Sequence, residues 1–132
     1  MSEYLLDTNH AGALCRKLPK PEDKMRTAAG DQFFLCRPSI AELWYMVFNS
    51  VRVADNERDL HRFLSNFQVI ELDSNAAMEF GRIKAELRRS GRMIPAVDIQ
   101  IAAISRARNL TLLTADGHFA SVPRLLIENW LI

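Results

Sequence analysis

Four acidic residues in this sequence could do chemistry together: Asp7, Glu42, Asp98 and Asp116. Each also has an ordinary structural explanation. Asp7 follows the apolar run Tyr4-Leu5-Leu6 and leads Thr8-Asn9, a trio that readily caps a helix. Glu42 stands three positions after Ser39, the spacing of a capping box. Asp98 opens the segment Ile99-Gln100-Ile101-Ala102-Ala103-Ile104, where a carboxylate gains from the helix dipole, and Asp116-Gly117 is a common turn dipeptide. Taken jointly the four read differently, because they fall just past strand ends or in the first turns of helices and can share one cleft. Carboxylates about 5 Å apart at an effective dielectric near 20 repel by about 3 kcal/mol per pair, which a cation must offset. An all-oxygen donor set selects Mg²⁺ or Mn²⁺, and no clustered Cys or His competes for zinc. Such a centre suits phosphodiester hydrolysis, in which the metal activates water and neutralises charge on the phosphate.

The elements that must position these acids follow from the hydrophobic pattern. Tyr4 to Leu6, Phe33 to Cys36, Gln68 to Leu72, Leu110 to Thr114 and Leu125 to Ile127 read as short strands. Between them lie helical stretches. One ends before Pro19, a second opens at Pro21 and closes at Gly30, and a third starts at Ser39 after a break at Arg37-Pro38 and runs to about Asn49. Residues 57–67 read as a fourth. A long fifth helix is capped by Asp73-Ser74, carries the buried stripe Ala76, Phe80, Ile83, Leu87 and ends at Gly91, and a sixth covers Val97 to Arg108. Strands alternating with amphipathic helices predict an α/β fold, a three-layer αβα sandwich with a parallel sheet of four to five strands. In such sheets ligands bind beyond the carboxyl ends of the strands, which is where the acids are expected.

The 132 residues, 48% hydrophobic and 25% charged, fit a single domain spanning 1–132. The longest apolar run, Leu43 to Phe48, is far short of the ~20 residues a membrane span needs, and the N-terminus lacks a signal-peptide pattern, so a cytoplasmic protein is expected. Cys15 and Cys36 form no motif and read as reduced packing residues. A formal net charge of +1 denies the chain the overall basicity of many nucleic-acid binders, so charge effects must be local. Arg82, Lys84, Arg88, Arg89 and Arg92 stand against the single acid Glu86 in such a local group, which suits either RNA phosphates or a solvated helix face.

In their order and spacing, Leu5-Leu6-Asp7-Thr8-Asn9, Glu42 in Ser39-Ile40-Ala41-Glu42-Leu43, Asp98-Ile99-Gln100-Ile101-Ala102-Ala103 and Leu113-Thr114-Ala115-Asp116 resemble the four signature blocks of PIN-domain ribonucleases, and within them the VapC toxins of toxin–antitoxin pairs. The resemblance extends to the closing Leu126-Ile127-Glu128-Asn129-Trp130. It implies a Mg²⁺- or Mn²⁺-dependent endoribonuclease in which Asp7, Glu42, Asp98 and Asp116 hold the metal and the attacking water, with Thr114 in support. It further implies a homodimer, a VapB-like antitoxin that also binds operator DNA, and an RNA substrate such as tRNA whose cleavage stops translation. Ala115 departs from the asparagine common in the last block, which removes a polar contact and leaves the acids intact.

The other candidates are assigned less. Asn9 orients Asp7 or merely caps the helix. His10, His61 and His118 show no ligand spacing and receive no role. Trp44, Tyr45, Met46 and Phe48 are read as packing residues of an apolar helix, in the core or at a dimer interface. No GxxxxGK[ST] or GxGxxG loop supports nucleotide-triphosphate or dinucleotide chemistry. A phosphoacceptor domain lacks its late-strand lysine, and a haloacid-dehalogenase phosphatase would need an aspartate where Asn9 stands. The competing reading is a non-catalytic PIN-like module that binds RNA or protein.

Overall fold

The computed structural model describes residues 2–28 and 30–132. Five strands, β1 (Glu3–Leu6), β2 (Gln32–Cys36), β3 (Gln68–Ile70), β4 (Thr111–Leu113) and β5 (Leu126–Glu128), form one sheet in the order β3-β2-β1-β4-β5. Every neighbouring pair is parallel, with Leu5 opposite Phe34 on one side and Leu112 on the other. β1 is therefore central, and its run of apolar residues without alternation is what a strand covered on both faces requires. The chain steps outward from β1 through β2 to β3, then returns to the opposite side of β1 for β4 and β5. The reversal lies between β1 and β4, the switch point at which open α/β sheets leave a crevice.

Strand periodicity divides the interior into two cores. Leu5, Phe34, Cys36 and Leu112 face one way and pack with Ile83, Leu87, Ile99 and Ile101 of α5 (Ser74–Ser90) and α6 (Ala96–Ala107). Tyr4, Leu6, Leu35 and Leu113 face the other way. There they meet Ala11 of α1 (Thr8–Cys15), Met25 of α2 (Pro19–Thr27), Ile40 and Leu43 of α3 (Arg37–Phe48) and Leu60 of α4 (Val53–Leu64). The result is the expected three-layer αβα arrangement.

Two devices fix α5 and α6, the pair that carries Asp98. Asp73 caps α5 by accepting from the Ala76 amide at 3.0 Å, and Gly91 ends it at φ 69, a left-handed conformation that favours glycine. Arg106 of α6, its side chain only 8% exposed, reaches Glu79 at 2.7 Å and Glu86 at 3.1 Å across to α5.

Some element boundaries differ from expectation for identifiable reasons. Arg37-Pro38 is no break: α3 starts at Arg37 and takes Pro38 into its first turn, where a missing amide hydrogen leaves no helix bond unmade. Pro19 does the same for α2, which begins two residues before Pro21 and ends at Thr27. Helix α4 occupies 53–64 rather than 57–67, and β5 is displaced by one residue. Among the described residues no helix is long and apolar enough to cross a membrane.

Candidate active site

Asp7 sits at the carboxyl end of β1, its backbone amide extending the sheet by donating to the Leu113 carbonyl at 3.0 Å. Asp7 is 4% exposed and both its carboxylate oxygens are oriented: Oδ1 accepts from the Thr8 amide at 2.7 Å and Oδ2 accepts from the Thr114 hydroxyl at 2.7 Å. The Thr114 Oγ1 in turn accepts from the Asp116 amide at 3.0 Å. One buried threonine at the end of β4 thus ties the first acid to the backbone of the last, across the switch point.

Glu42 comes from the second turn of α3. Because that helix starts at Arg37, Ser39 is not its cap and the capping-box reading fails. Ser39 is buried, with its hydroxyl 3.4 Å from the Cys36 thiol. Glu42 Oε1 instead accepts from the Thr8 hydroxyl. Thr8 therefore touches Asp7 with its amide and Glu42 with its side chain, the orienting role that is one of the two readings of Asn9. Asn9 is exposed at the rim of the cleft and makes no hydrogen bond to Asp7 among the described residues.

Asp98 occupies the first turn of α6, and Asp116 caps the 3₁₀ turn Gly117–Ser121 by accepting from the His118 amide at 2.9 Å. That turn brings His118 back over the acids. Its Nδ1 lies 3.0 Å from Asp98 Oδ2 and 3.3 Å from Asp116 Oδ1, and one ligand atom from each of the three residues falls within 4.8 Å of the others. His118, left without a role on sequence grounds, is part of the cluster. Its signal was the distance to Asp116: a side chain two residues beyond a turn-capping aspartate can fold back onto it.

Asp7, Glu42, Asp98 and Asp116 line one cleft of about 590 Å³. The electrostatic cost of gathering them is visible in two carboxyls. Burial, reinforced by the charges of Asp98 and Glu42 and partly countered by the bonds from Thr114 and Thr8, pushes Asp7 up to about 6. Burial together with the Asp116 charge raises Asp98, against the opposing pull of His118. Oxygen donors that repel one another in a partly desolvated cleft fit a divalent cation, and the imidazole nitrogen at the edge adds a further donor.

The remaining candidates divide. Arg82 is paired with Glu79 at 2.7 Å, whereas Arg88, Arg89 and Arg92 are exposed and form no ion pair among the described residues. These three stand where α5 runs into the segment leading to α6, the end that carries Asp98. On α3 the core half of the packing expectation is met by Trp44 alone. Trp44 packs against His61 and Phe48, but Tyr45, Met46 and Phe48 are themselves exposed, and Tyr45 and Met46 line the acidic cleft. His10, by contrast, is wholly buried, and its Nε2 accepts from the Trp130 amide at 2.9 Å.

This geometry has a counterpart among known proteins, since residues 4–125 match the family described as the PIN domain. The chain belongs to the PIN-domain family. Within it the protein is a VapC-type PIN domain: Ribonuclease VapC2 of Rickettsia felis is 30% identical over 96% of this chain and 97% of that relative. The tRNA(fMet)-specific endonuclease VapC of Salmonella typhimurium is 27% identical over 98% of this chain and 99% of its own. The crystal structure of VapBC2 from Rickettsia felis, bound to a DNA fragment from its promoter, superposes with a TM-score of 0.90 at 29% identity, covering 97% of this PIN domain and 98% of that chain.

Proposed function

We propose that this PIN domain, a single unit spanning 1–132, is a Mg²⁺- or Mn²⁺-dependent endoribonuclease, the toxin of a VapBC-type pair. The observation that carries this reading is the meeting of four carboxylates in one cleft at the switch point, with Asp7 driven up to about 6. A cluster serving only as helix caps would have no reason to keep so buried an acid beside other acids. Asp7, Glu42, Asp98 and Asp116 are the metal-holding and catalytic residues, and Thr114 and Thr8 hold the first two of them in place. When bound, the divalent ion lowers the pKa of the attacking water and offsets charge on the scissile phosphate.

The chain's own groups supply the rest. Asp7 must be ionised to bind the cation, and the Thr114 and Thr8 donors favour that form. Asp98 and Asp116 are held against the His118 ring, so their oxygens are preset before RNA arrives. Arg88, Arg89 and Arg92 contact RNA phosphates near the cleft, a role that Arg82 is less free to take while paired with Glu79. The substrate is structured RNA such as tRNA, whose cleavage blocks translation in the cytoplasm. The chain acts as a homodimer and is silenced by a VapB-like antitoxin that also binds operator DNA. Relatives solved as VapBC complexes with DNA, and a relative named for tRNA(fMet), support these assignments.

The test uses protein freed of antitoxin. RNA is cleaved with Mg²⁺ or Mn²⁺, cleavage stops with chelator, and Asp7→Asn and Asp98→Asn abolish it. RNA bound but left intact by wild type and variants alike would replace this reading with that of a binding module.

A further inference from the structure

The carboxylates account for only part of the cleft wall. Tyr45 stands three residues after Glu42 on α3 and lines the same cleft. It is 68% exposed, and among the described residues its ring joins no aromatic pair and its hydroxyl no hydrogen bond. Its neighbour Trp44 is by contrast packed edge-on to His61 at 4.9 Å. On the α6 wall the half-buried Gln100 amide has no hydrogen-bond partner among the described residues. A bare aromatic face and an unused amide therefore flank a strongly acidic floor.

An acidic cleft repels the phosphates it must approach, so contacts that do not depend on phosphate charge gain importance close to the acids. Stacking on an aromatic ring is such a contact, because every base has a π-face. Residues three apart on a helix have Cβ atoms about 5–6 Å apart, which lets Glu42 and Tyr45 address adjacent parts of one nucleotide. A second protein copy seated on Tyr45 would cover the cleft that holds the acids, which favours RNA as the occupant.

We propose that Tyr45 is the base-stacking residue of the substrate site, holding an unpaired nucleobase beside the phosphate that the carboxylates address, with the Gln100 amide offered to the edge of that base. The inference rests on the nuclease reading above. It adds that the nucleotide at the cleft is taken out of its base pair, since a paired base has no free face for the ring.

The experiment compares wild type, Tyr45→Ala and Tyr45→Phe. Binding of a single-stranded oligoribonucleotide carrying 2-aminopurine, and of the same oligonucleotide annealed to its complement, is measured with Ca²⁺ in place of Mg²⁺. Cleavage with Mn²⁺ and the oligomeric state are followed in parallel. Expected is a roughly 5- to 150-fold loss of single-strand affinity in Tyr45→Ala, the range for removal of one stack. The loss appears in KM more than in kcat, Tyr45→Phe stays near wild type, and duplex binding is little changed. Quenching of 2-aminopurine fluorescence on binding, absent in Tyr45→Ala, reports the stack directly. Equal binding and quenching by wild type and Tyr45→Ala would overturn the proposal while leaving the nuclease reading intact. Loss of a dimer in Tyr45→Ala, with unchanged affinity per intact dimer, would overturn it in favour of a subunit contact. A wild type that binds RNA without cutting it would instead sink the nuclease reading, and unaltered quenching in Tyr45→Ala of that protein would sink the stacking role as well.

Discussion

Replacing Asp7 with asparagine should make the metal-free protein more stable at neutral pH while destroying its activity. The carboxyl is 4% exposed and its pKa moves from the ordinary 3.8 to about 6 in the fold. Between those values the folded state holds the proton more tightly than the unfolded chain. Stability therefore falls as pH rises through that window and levels off above about 6. The loss amounts to about 3 kcal/mol at pH 7. Asparagine removes the ionisation but presents only one acceptor oxygen to the two donors that Asp7 satisfies, the Thr8 amide and the Thr114 hydroxyl. One weakened buried hydrogen bond costs about 1 kcal/mol. The net gain is thus about 2 kcal/mol at pH 7, or about 5–10 °C in Tm for a domain of this size. Thermal unfolding followed by circular dichroism in chelator, from pH 4 to pH 8, reads the difference between variant and wild type. That difference should grow between pH 4 and about 6 and then stay flat. Saturating Mn²⁺ should stabilise the wild type more than the variant and narrow the gap. An Asp7→Asn protein that is less stable than wild type at pH 7 in chelator, by an amount independent of pH, would refute the claim that Asp7 is held ionised at a cost.

Other perturbations probe the supports around that carboxylate. Thr114→Val keeps the buried shape but strips Asp7 of a donor and the Asp116 amide of its acceptor, so urea unfolding should show a loss of about 1–3 kcal/mol. His118→Ala frees Asp98 and Asp116 from their shared partner and should weaken Mn²⁺ binding about 10-fold, read by paramagnetic resonance titration. Joint replacement of Arg88, Arg89 and Arg92 by alanine should lower RNA affinity and flatten its dependence on log salt by about 0.7 for each phosphate no longer neutralised. An unchanged slope in anisotropy titrations would remove these arginines from the interface.

What the sequence made legible was whatever depends on chain-local pattern. Apolar runs ending in polar residues located Asp7 and the Thr114-to-Asp116 stretch at strand ends, and the 4-3-4 stripe located α5. Where two local patterns compete, the commoner one is the misleading one here. Pro38 reads as a break, although a proline in a first helical turn is equally stable, and that choice turned Ser39 and Glu42 into a false capping box. The role of Thr8 escaped because its partner, Glu42, is remote in the chain. His118 escaped because it stands in no metal-ligand motif, and only the turn capped by Asp116 folds its ring back onto the acids. Which arginines are free was equally hidden, since the pairing of Arg106 with Glu79 and Glu86 depends on how α6 lies against α5. Tyr45 sits in an apolar run, and only the position of the neighbouring helices decides that its ring meets solvent.

The placement of β4 beside β1 bears on how the polypeptide comes into being. Synthesis proceeds from the amino end, yet the first strand finds one of its two neighbours only when residues 111–113 emerge, and Thr114 and Asp116 follow directly behind. A nascent chain truncated before that point has Asp7 without its threonine and lacks the last acid altogether. The ribosome therefore carries no finished carboxylate centre until Asp116 has been added and has left the exit tunnel, and whatever this centre does to RNA begins only after that.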